Sequence, residues 1–186
     1  MGRALGHTAA AVDFSERTLR RYVNDGLLKA RHVGRQVELA AHEERYLRSH
    51  HELLRTLRGA LRTERNVQLA VLFGSTATGE DSEESDVDLM VSLHDARSRS
   101  PASLRRRLQT RLNRRVHLVV LHDAREAPSL LADILAEGRV VIDRGNLWPQ
   151  LIDQRDLIAE RAARADFELM TRAAASLSAA RQRVAE

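Results

Sequence analysis

The pattern of hydrophobic and polar positions divides the chain into a helical head, an α/β body and a helical tail. In the head, residues 4–12 and 16–24 are predicted as two short helices, and Ser15 is a favourable N-cap for the second. Residues 28–39 alternate loosely around Gly34, as a small β-hairpin with a glycine at its tip does. A long amphipathic helix follows, and one stripe of its surface carries Leu39, Tyr46, His50, Leu53, Leu54, Leu57 and Leu61.

The body has the pattern of a small sheet whose strands are buried. The predicted strands cover residues 67–73, 87–93, 116–121 and 140–142. A helix over residues 129–137, closed by Gly138, precedes the last of these strands. From Leu147 to the end the pattern is helical again. The predicted fold class is therefore α+β, and the predicted domain boundaries separate residues 1–64, 65–146 and 147–186.

Composition favours a soluble protein of the cell interior. Of the 186 residues 43% are hydrophobic, which is enough for a core, although only 3% are aromatic. Because the chain has no cysteine, disulfides, thiolate zinc sites and cysteine nucleophiles are excluded. The first residues lack the continuous apolar segment of a signal peptide, and the apolar run LAVLF is too short to cross a bilayer. We therefore expect a cytoplasmic protein without membrane contact.

The positive charge of the chain is carried by arginine. The net charge is +4, and Lys29 is the only lysine. Between Arg97 and Arg115 the chain holds eight arginines and no acidic residue, while Leu104, Leu108 and Leu112 recur every four residues. Two interpretations of this segment stay open, a solvated helix face and a surface that binds phosphate.

The head has the order of elements of a winged helix–turn–helix, in which the second helix enters the major groove and the hairpin lies along the DNA backbone. The stretch SERTLRRYVNDGLL, residues 15–28, also resembles the first helix–turn–helix of MerR-type regulators. A head that serves only packing or dimerisation is the alternative. The resemblance implies duplex DNA as a partner, with contacts from Arg17, Thr18, Arg20, Arg21, Tyr22 and, on the wing, Arg35.

The most specific motif of the chain is LFGSTATGEDSEESDVDLMV, residues 72–91. Because side chains alternate along a strand, Asp86 and Asp88 are expected on one face, with Val87, Leu89 and Val91 in the core. Two carboxylates on one face can hold a hard cation such as Mg²⁺.

A glycine–serine turn precedes these carboxylates. Gly74 and Ser75 directly follow a predicted buried strand, and glycine lets backbone N–H groups come close to a triphosphate. A metal that bridges phosphates beside such a turn is a working arrangement for phosphoryl and nucleotidyl transfer.

The spacing of this turn and of the run SDVDL, residues 85–89, resembles the minimal nucleotidyltransferases of the DNA polymerase β superfamily. The resemblance continues through residues 115–145 and covers about residues 67–145. It implies a small mixed sheet flanked by helices, an NTP as substrate with ATP favoured, and Mg²⁺ or Mn²⁺ as the metal. The residues that it implies are Gly74, Ser75, Gly79 and Ser85 for the nucleotide, and Asp86 and Asp88 for the metal and for catalysis. His117, where the family usually has a third carboxylate, is the further catalytic candidate.

Two departures from the family pattern concern catalysis. The next strand reads Val116-His117-Leu118 where the family usually has a third carboxylate, and Thr76 and Thr78 stand where basic residues commonly precede the second glycine. Three interpretations of His117 stay open. It is a general base, a nitrogen ligand that shifts the preference from Mg²⁺ toward Mn²⁺ or Zn²⁺, or the mark of a degenerate site.

Together these features predict a DNA-binding protein whose nucleotidyltransferase domain moves NMP, with AMP favoured, onto a hydroxyl group. By analogy with single-domain members of the family, the acceptor is a cognate toxin protein or tRNA, and we expect a homodimer. The alternative is a transcriptional regulator whose degenerate nucleotidyltransferase domain senses a nucleotide or binds a partner.

Overall fold

The N-terminal and central elements are built around two β-sheets. The computed structural model describes residues 3–12, 14–34, 36–95 and 100–185. The N-terminal elements are β1 (Arg3–Ala4), α1 (Leu5–Ala11), α2 (Glu16–Asn24), β2 (Ala30–Val33), β3 (Gln36–Leu39) and α3 (Ala41–Thr63). The central elements are β4 (Val67–Phe73), α4 (Ser75–Thr78), β5 (Val87–Leu93), α5 (Pro101–Leu112), β6 (Val116–Val120), α6 (Leu121–Arg125), α7 (Pro128–Glu137) and β7 (Arg139–Asp143). The chain continues with α8 (Leu147–Asp153) and α9 (Arg155–Ala185).

The N-terminal elements form as their local sequence predicts. Ser15 caps α2, because its side chain accepts a hydrogen bond from the backbone N–H of Thr18 at 3.1 Å. Strands β2 and β3 pair antiparallel, and Gly34 lies between them with a φ of +60°, a conformation that glycine adopts without steric cost. The order of two helices and a hairpin is thus present, while its assignment to a winged helix–turn–helix stays a prediction.

The central sheet is mixed and has the order β6-β5-β4-β7. Strands β5 and β6 run parallel, whereas β4 pairs antiparallel with both β5 and β7. The strands predicted over residues 67–73 and 87–93 are confirmed with these bounds, and the predicted α+β class is confirmed as well. The short elements β1, α4 and α6 were not predicted, because two to five residues are too few to establish a periodicity.

A continuous hydrophobic core joins the N-terminal elements to one face of the central sheet. It contains Leu19 and Leu27 from the N-terminal part together with Val87, Leu89 and Val91 from β5. The opposite face packs a second core beneath α7, α8 and α9, where Met90 is buried. The predicted alternation along β5 is therefore confirmed, although both of its faces are covered. The domain boundary predicted after residue 64 stays a prediction. Among the described residues, no helix combines the length and apolar content of a membrane span.

A buried ion pair connects α3 to the central sheet. The Arg139 guanidinium donates to both oxygens of Glu43, at 2.7 and 2.8 Å, and the two side chains are 5% and 1% exposed. Arg139 also donates to the main-chain oxygens of Ala77 and Leu27 and stacks 3.5 Å from the centre of the Tyr46 ring. These partners compensate for the cost of removing both charges from water.

We expect Arg139→Met to lower the free energy of unfolding by about 3–5 kcal/mol, because Glu43 is then a buried carboxylate without its cation. Urea unfolding of the two single variants and of Arg139→Met with Glu43→Leu would measure the coupling between the two sites. Arg164→Ala is the matched control, since Arg164 is 73% exposed and lies on α9. If the free energy of unfolding of Arg139→Met is within about 1 kcal/mol of that of wild type, the ion pair does not stabilise the fold as expected.

Candidate functional site

The turn at Gly74 folds directly over the carboxylate of Asp88. Strand β4 ends at Phe73, which pairs with Asp88 on β5. Gly74 has a φ of +68°, and a Cβ atom at this position would lie 2.7 Å from Oδ2 of Asp88. The N–H groups of Ala77 and Thr78 donate to the Gly74 carbonyl, so helix α4 starts immediately at the turn. Only glycine fits this close approach of backbone and carboxylate.

The two threonines of the turn brace it internally. Thr76 is fully buried, and its hydroxyl donates to the main-chain oxygen of Asp86 at 3.1 Å. The hydroxyl of Thr78 donates to the main-chain oxygen of Ser75 at 3.1 Å. The residues that replace the family's basic positions therefore tie the turn to itself and to the strand that carries the aspartates.

The loop between the turn and β5 is held by a buried carboxylate. The side chain of Asp81 is 4% exposed and accepts hydrogen bonds from Nε2 of His50 at 2.6 Å and from Arg114 at 2.9 Å. Burial alone would raise the pKa of Asp81, but the hydrogen bonds and charges of these two partners hold it below its usual value. Arg114 also donates to the main-chain oxygen of Ser85 at 2.7 Å. The Ser85 hydroxyl accepts from the N–H of Ser82 at 3.0 Å, so this predicted nucleotide contact is engaged within the loop.

Each of the two motif aspartates faces a basic residue from the neighbouring strand. In the parallel register of β5 and β6, His117 lies opposite Asp88, and its Nδ1 is 3.0 Å from Oδ1 of that carboxylate. Nε of Arg115, the residue before β6, lies 2.8 Å from Oδ1 of Asp86. The two atoms are close enough for an ion pair. They do not form a hydrogen bond, because Oδ1 of Asp86 has no hydrogen-bond partner. We call the two aspartates, together with the basic residue that faces each of them, the paired carboxylates.

The prediction that His117 faces the same cleft as the aspartates is confirmed by its contact with Asp88. Arg115 was missed. It precedes His117 by two residues, just as Asp86 precedes Asp88, so the alternation of side chains along two paired strands contains the signal.

The paired carboxylates offer oxygen ligands to a divalent cation. In the ranges that the structure describes, no group of three or more His, Asp or Glu side chains could hold a metal. The two carboxylates still fit Mg²⁺ or Mn²⁺, because they supply oxygen donors and the missing Cβ of Gly74 leaves space over Asp88. Arg115 and His117 each contact Oδ1 of one aspartate, so a metal bound through Oδ1 would compete with them, whereas neither contact involves Oδ2.

The exposed face of α2 is arginine-rich, but one predicted DNA contact is not on it. Arg17, Arg20 and Arg21 are exposed, whereas Tyr22 is 3% exposed. The Tyr22 ring packs edge-on against Phe14 at 5.6 Å, so Tyr22 belongs to the core and its assignment to DNA is wrong.

Two further predicted DNA contacts have local partners or lie outside the described residues. The Thr18 hydroxyl lies 2.9 Å from the hydroxyl of the N-cap Ser15, and Arg20 pairs with Glu16 at 2.6 Å in an exposed i,i+4 contact. Arg35, the predicted wing contact, lies outside the described residues.

The arginine-rich helix α5 divides its charges between one partner and solvent. Arg107 forms two hydrogen bonds with Glu64, at 2.7 and 2.9 Å, and this carboxylate raises the pKa of Arg107. Arg105, Arg106 and Arg111 are exposed, so both interpretations of this surface stay open. Arg97 and Arg99 lie outside the described residues.

Comparison with known proteins identifies the central part of the chain. Residues 55–146 match the family model of the polymerase beta nucleotidyltransferases. This range contains the glycine turn, the paired carboxylates and all four strands of the central sheet. The central part of the chain, a mixed α+β fold, is therefore similar to nucleotidyltransferase domains. No curated protein sequence matches the chain.

Several solved structures are similar to part of the chain. A toxin–antitoxin structure with AMP-PNP is 25% identical, with 62% of this chain and 98% of that chain covered and a TM-score of 0.47. The toxin–antitoxin MntA–HepT is 23% identical, with 64% and 98% covered and a TM-score of 0.43. The MNT antitoxin complex with the tri-AMPylated HEPN toxin of Shewanella oneidensis is 22% identical, with 67% and 98% covered and a TM-score of 0.40.

We expect Arg115→Ala to strengthen Mn²⁺ binding by about three- to tenfold, because it frees Asp86 and removes a cation that repels the metal. Electron paramagnetic resonance of free Mn²⁺ would measure the affinity without any substrate. Arg105→Ala removes the same charge from the exposed face of α5 and should leave the affinity unchanged. Equal affinities in wild type and Arg115→Ala would contradict a competition between this arginine and the metal.

Proposed function

We propose that this chain is a metal-dependent nucleotidyltransferase that transfers NMP, with AMP favoured, from an NTP to a hydroxyl group of a protein or RNA. The observation that carries the proposal is the approach of the Gly74 turn to Oδ2 of Asp88, with Asp86 two residues before it. A match to the nucleotidyltransferase family model over residues 55–146 supports it.

In the proposed reaction the acceptor oxygen attacks the α-phosphorus of the NTP. A new oxygen–phosphorus bond forms, the bond to the bridging oxygen breaks, and pyrophosphate leaves with the electron pair. Asp86 and Asp88 would hold the metal, which neutralises phosphate charge when bound. His117 is 60% exposed and its Nδ1 faces Asp88, so Nε2 is the atom that takes the acceptor's proton.

A regulator with a catalytically degenerate domain is the second candidate. It is favoured by the contacts of the two aspartates, since Arg115 places a cation beside Asp86 and the His117 ring lies against Asp88. In that case the domain binds a nucleotide or a partner and releases no pyrophosphate.

A protein partner fits the exposed apolar surface of α9. Phe167 and Met170 lie three residues apart on one face of this helix and are each more than 60% exposed. Large apolar side chains in such a group mark surfaces for protein association. We assign this surface to a cognate toxin, which is also the favoured acceptor, or to a second copy of the chain. A tRNA acceptor is the alternative substrate.

DNA binding by the head is supported by the exposed arginines of α2. Arg17 and Arg21 project from a helix whose opposite face is anchored by the fully buried Leu19, so the helix offers a rigid basic surface. We propose that these residues contact the phosphates of duplex DNA.

Transfer activity is expected to depend on both aspartates and on His117. Labelled NTP would be incubated with candidate partner proteins and with tRNA, using Mg²⁺ and Mn²⁺ in turn. Asp86→Asn with Asp88→Asn should abolish transfer, and His117→Ala should lower it by about 10²–10⁴-fold if the imidazole is the base. His122→Ala is the matched control, because His122 is exposed on α6.

Two results of this assay would contradict parts of the proposal. Equal transfer by wild type and His117→Ala would remove His117 from catalysis. No pyrophosphate release by wild type with either metal, together with a trace of activity in His117→Asp, would select the degenerate domain.

Binding to duplex DNA should weaken steeply as salt rises, because each neutralised phosphate releases counterions. Arg17→Ala with Arg21→Ala should make the slope of log K against log salt shallower by about 1.8, the value for two lost phosphate contacts. Arg161→Ala with Arg164→Ala removes the same charge from α9 and should leave the slope unchanged. A mobility shift with the upstream region of the gene that shows no complex at low salt would refute DNA binding.

A further inference from the structure

A cleft of about 480 Å³ lies where the end of α2, the second half of α3 and the connection from β7 to α8 meet. Its walls include Asp25, Gly26, Arg58, Arg62, Arg144 and Trp148. None of the residues of the Gly74 turn or of the paired carboxylates lines it. A volume of this size is within the range of small-molecule sites and is far larger than a single inorganic ion needs.

Positive charge in the cleft exceeds what its acidic residues neutralise. Asp143, another wall residue, uses its carboxylate to accept the N–H groups of Leu147 and Trp148, at 3.0 and 2.9 Å. Arg144 donates only to main-chain oxygens at the end of α3 and the start of β4. Arg62 is exposed and has no carboxylate partner among the residues that the structure describes. The cationic charges of Arg62 and Arg144 are therefore available to an anionic ligand.

Arg58 has hydrogen-bonding capacity that the protein does not use. The residue is 8% exposed, stacks 4.9 Å from the centre of the Tyr22 ring and pairs through Nη2 with Asp25. Its Nε and Nη1 atoms are buried without a hydrogen-bond partner. A buried N–H group left unpaired is costly, so an anion that reaches this guanidinium gains more than it would from an exposed arginine. The Asp25 side chain is 36% exposed, so this ion pair lies at the wall of the cleft that faces solvent.

Trp148 adds an aromatic surface to this basic cleft. It is half-buried, and a Cβ atom on Gly26 would lie 3.9 Å from its indole nitrogen, so the ring lies close to the end of α2. Nucleobases stack on aromatic side chains with little dependence on the base. Phosphate-binding arginines beside a tryptophan are thus the chemistry that a nucleotide requires.

We propose that this cleft binds a mononucleotide, with its phosphate at Arg58 and Arg62 and its base against Trp148. The site is independent of the proposed transfer reaction, because it shares no residue with the paired carboxylates. A bound ligand would bridge α2 and the start of α8, beside the hydrogen bond from the N–H of Val140 to the Gly26 oxygen at 3.1 Å. It therefore connects the helix proposed to contact DNA with the nucleotidyltransferase domain.

Trp148 is the only tryptophan of the chain, so its fluorescence reports directly on the cleft. AMP would be titrated into the full-length protein in the presence of EDTA, and again in Asp86→Asn with Asp88→Asn to remove the proposed catalytic site. We expect a saturable fluorescence change in both proteins. Inorganic phosphate should compete with AMP but give a smaller change, since it carries no base to stack on the indole.

Variants of the cleft arginines distinguish specific binding from general charge attraction. Arg62→Ala should weaken AMP binding by about tenfold or more, the loss expected for one charge-assisted hydrogen bond. Arg65→Ala removes the same charge from an exposed residue outside the cleft and should bind AMP like wild type. Arg58→Gln should also weaken binding, and Arg62→Ala keeps the test valid if the buried Arg58 variant fails to fold.

Three outcomes would overturn the proposal. The first is the absence of a saturable fluorescence change with AMP. The second is equal AMP affinity in wild type and Arg62→Ala, or equal competition by sodium chloride at matched ionic strength. The third is a response of Trp148 to a short DNA duplex without a response to AMP, which would assign the cleft to the phosphate backbone of DNA.

Discussion

Arg139 and Glu43 are two charged residues that solvent hardly reaches, and their contacts set the position of the glycine turn. A buried ion pair is tolerated only when its remaining donors and acceptors are also satisfied. Arg139 meets this condition by donating to the main-chain oxygen of Ala77 in α4 and to that of Leu27. Glu43 meets it by accepting the N–H of Lys29. Arg139 of β7 and Glu43 of α3 therefore hold the turn over Asp88 in position.

Helix α3 also holds the other side of the turn. The Tyr46 ring lies between the Arg139 guanidinium, 3.5 Å from its centre, and the His50 ring, whose centre is 4.4 Å away. His50 in turn holds Asp81, and Thr76 connects α4 to the main chain of Asp86. Successive residues along one helix thus support the beginning and the end of the loop that carries the motif. The long amphipathic helix is therefore part of the scaffold of the site.

The sequence was sufficient for the strands and for the position of His117, but it was insufficient for the residues that support the site. Apolar runs bounded by turns define β4 and β5, and the spacing of strands places His117 beside Asp88. Arg139 and Glu43 lie 96 residues apart, and His50 and Asp81 lie 31 apart, so no local periodicity connects them. Tyr22 shows a different limit. The resemblance to MerR-type regulators suggested Tyr22 as a DNA contact, whereas its packing against Phe14 and Arg58 places it on the buried face of the helix.

The basic partners of the two aspartates set the charge balance of the paired carboxylates. Two carboxylates held on one strand repel each other, and a third would add to that repulsion. In this chain His117 takes the place of the third carboxylate, and Arg115 contributes a cation to Asp86. Arg115 is 77% exposed, so its ion pair is weak and can be exchanged for a metal or a phosphate at little cost. The same replacement therefore accounts for both candidate functions. Aspartates with basic partners suit a nucleotide sensor, and an exchangeable arginine leaves them accessible to catalysis.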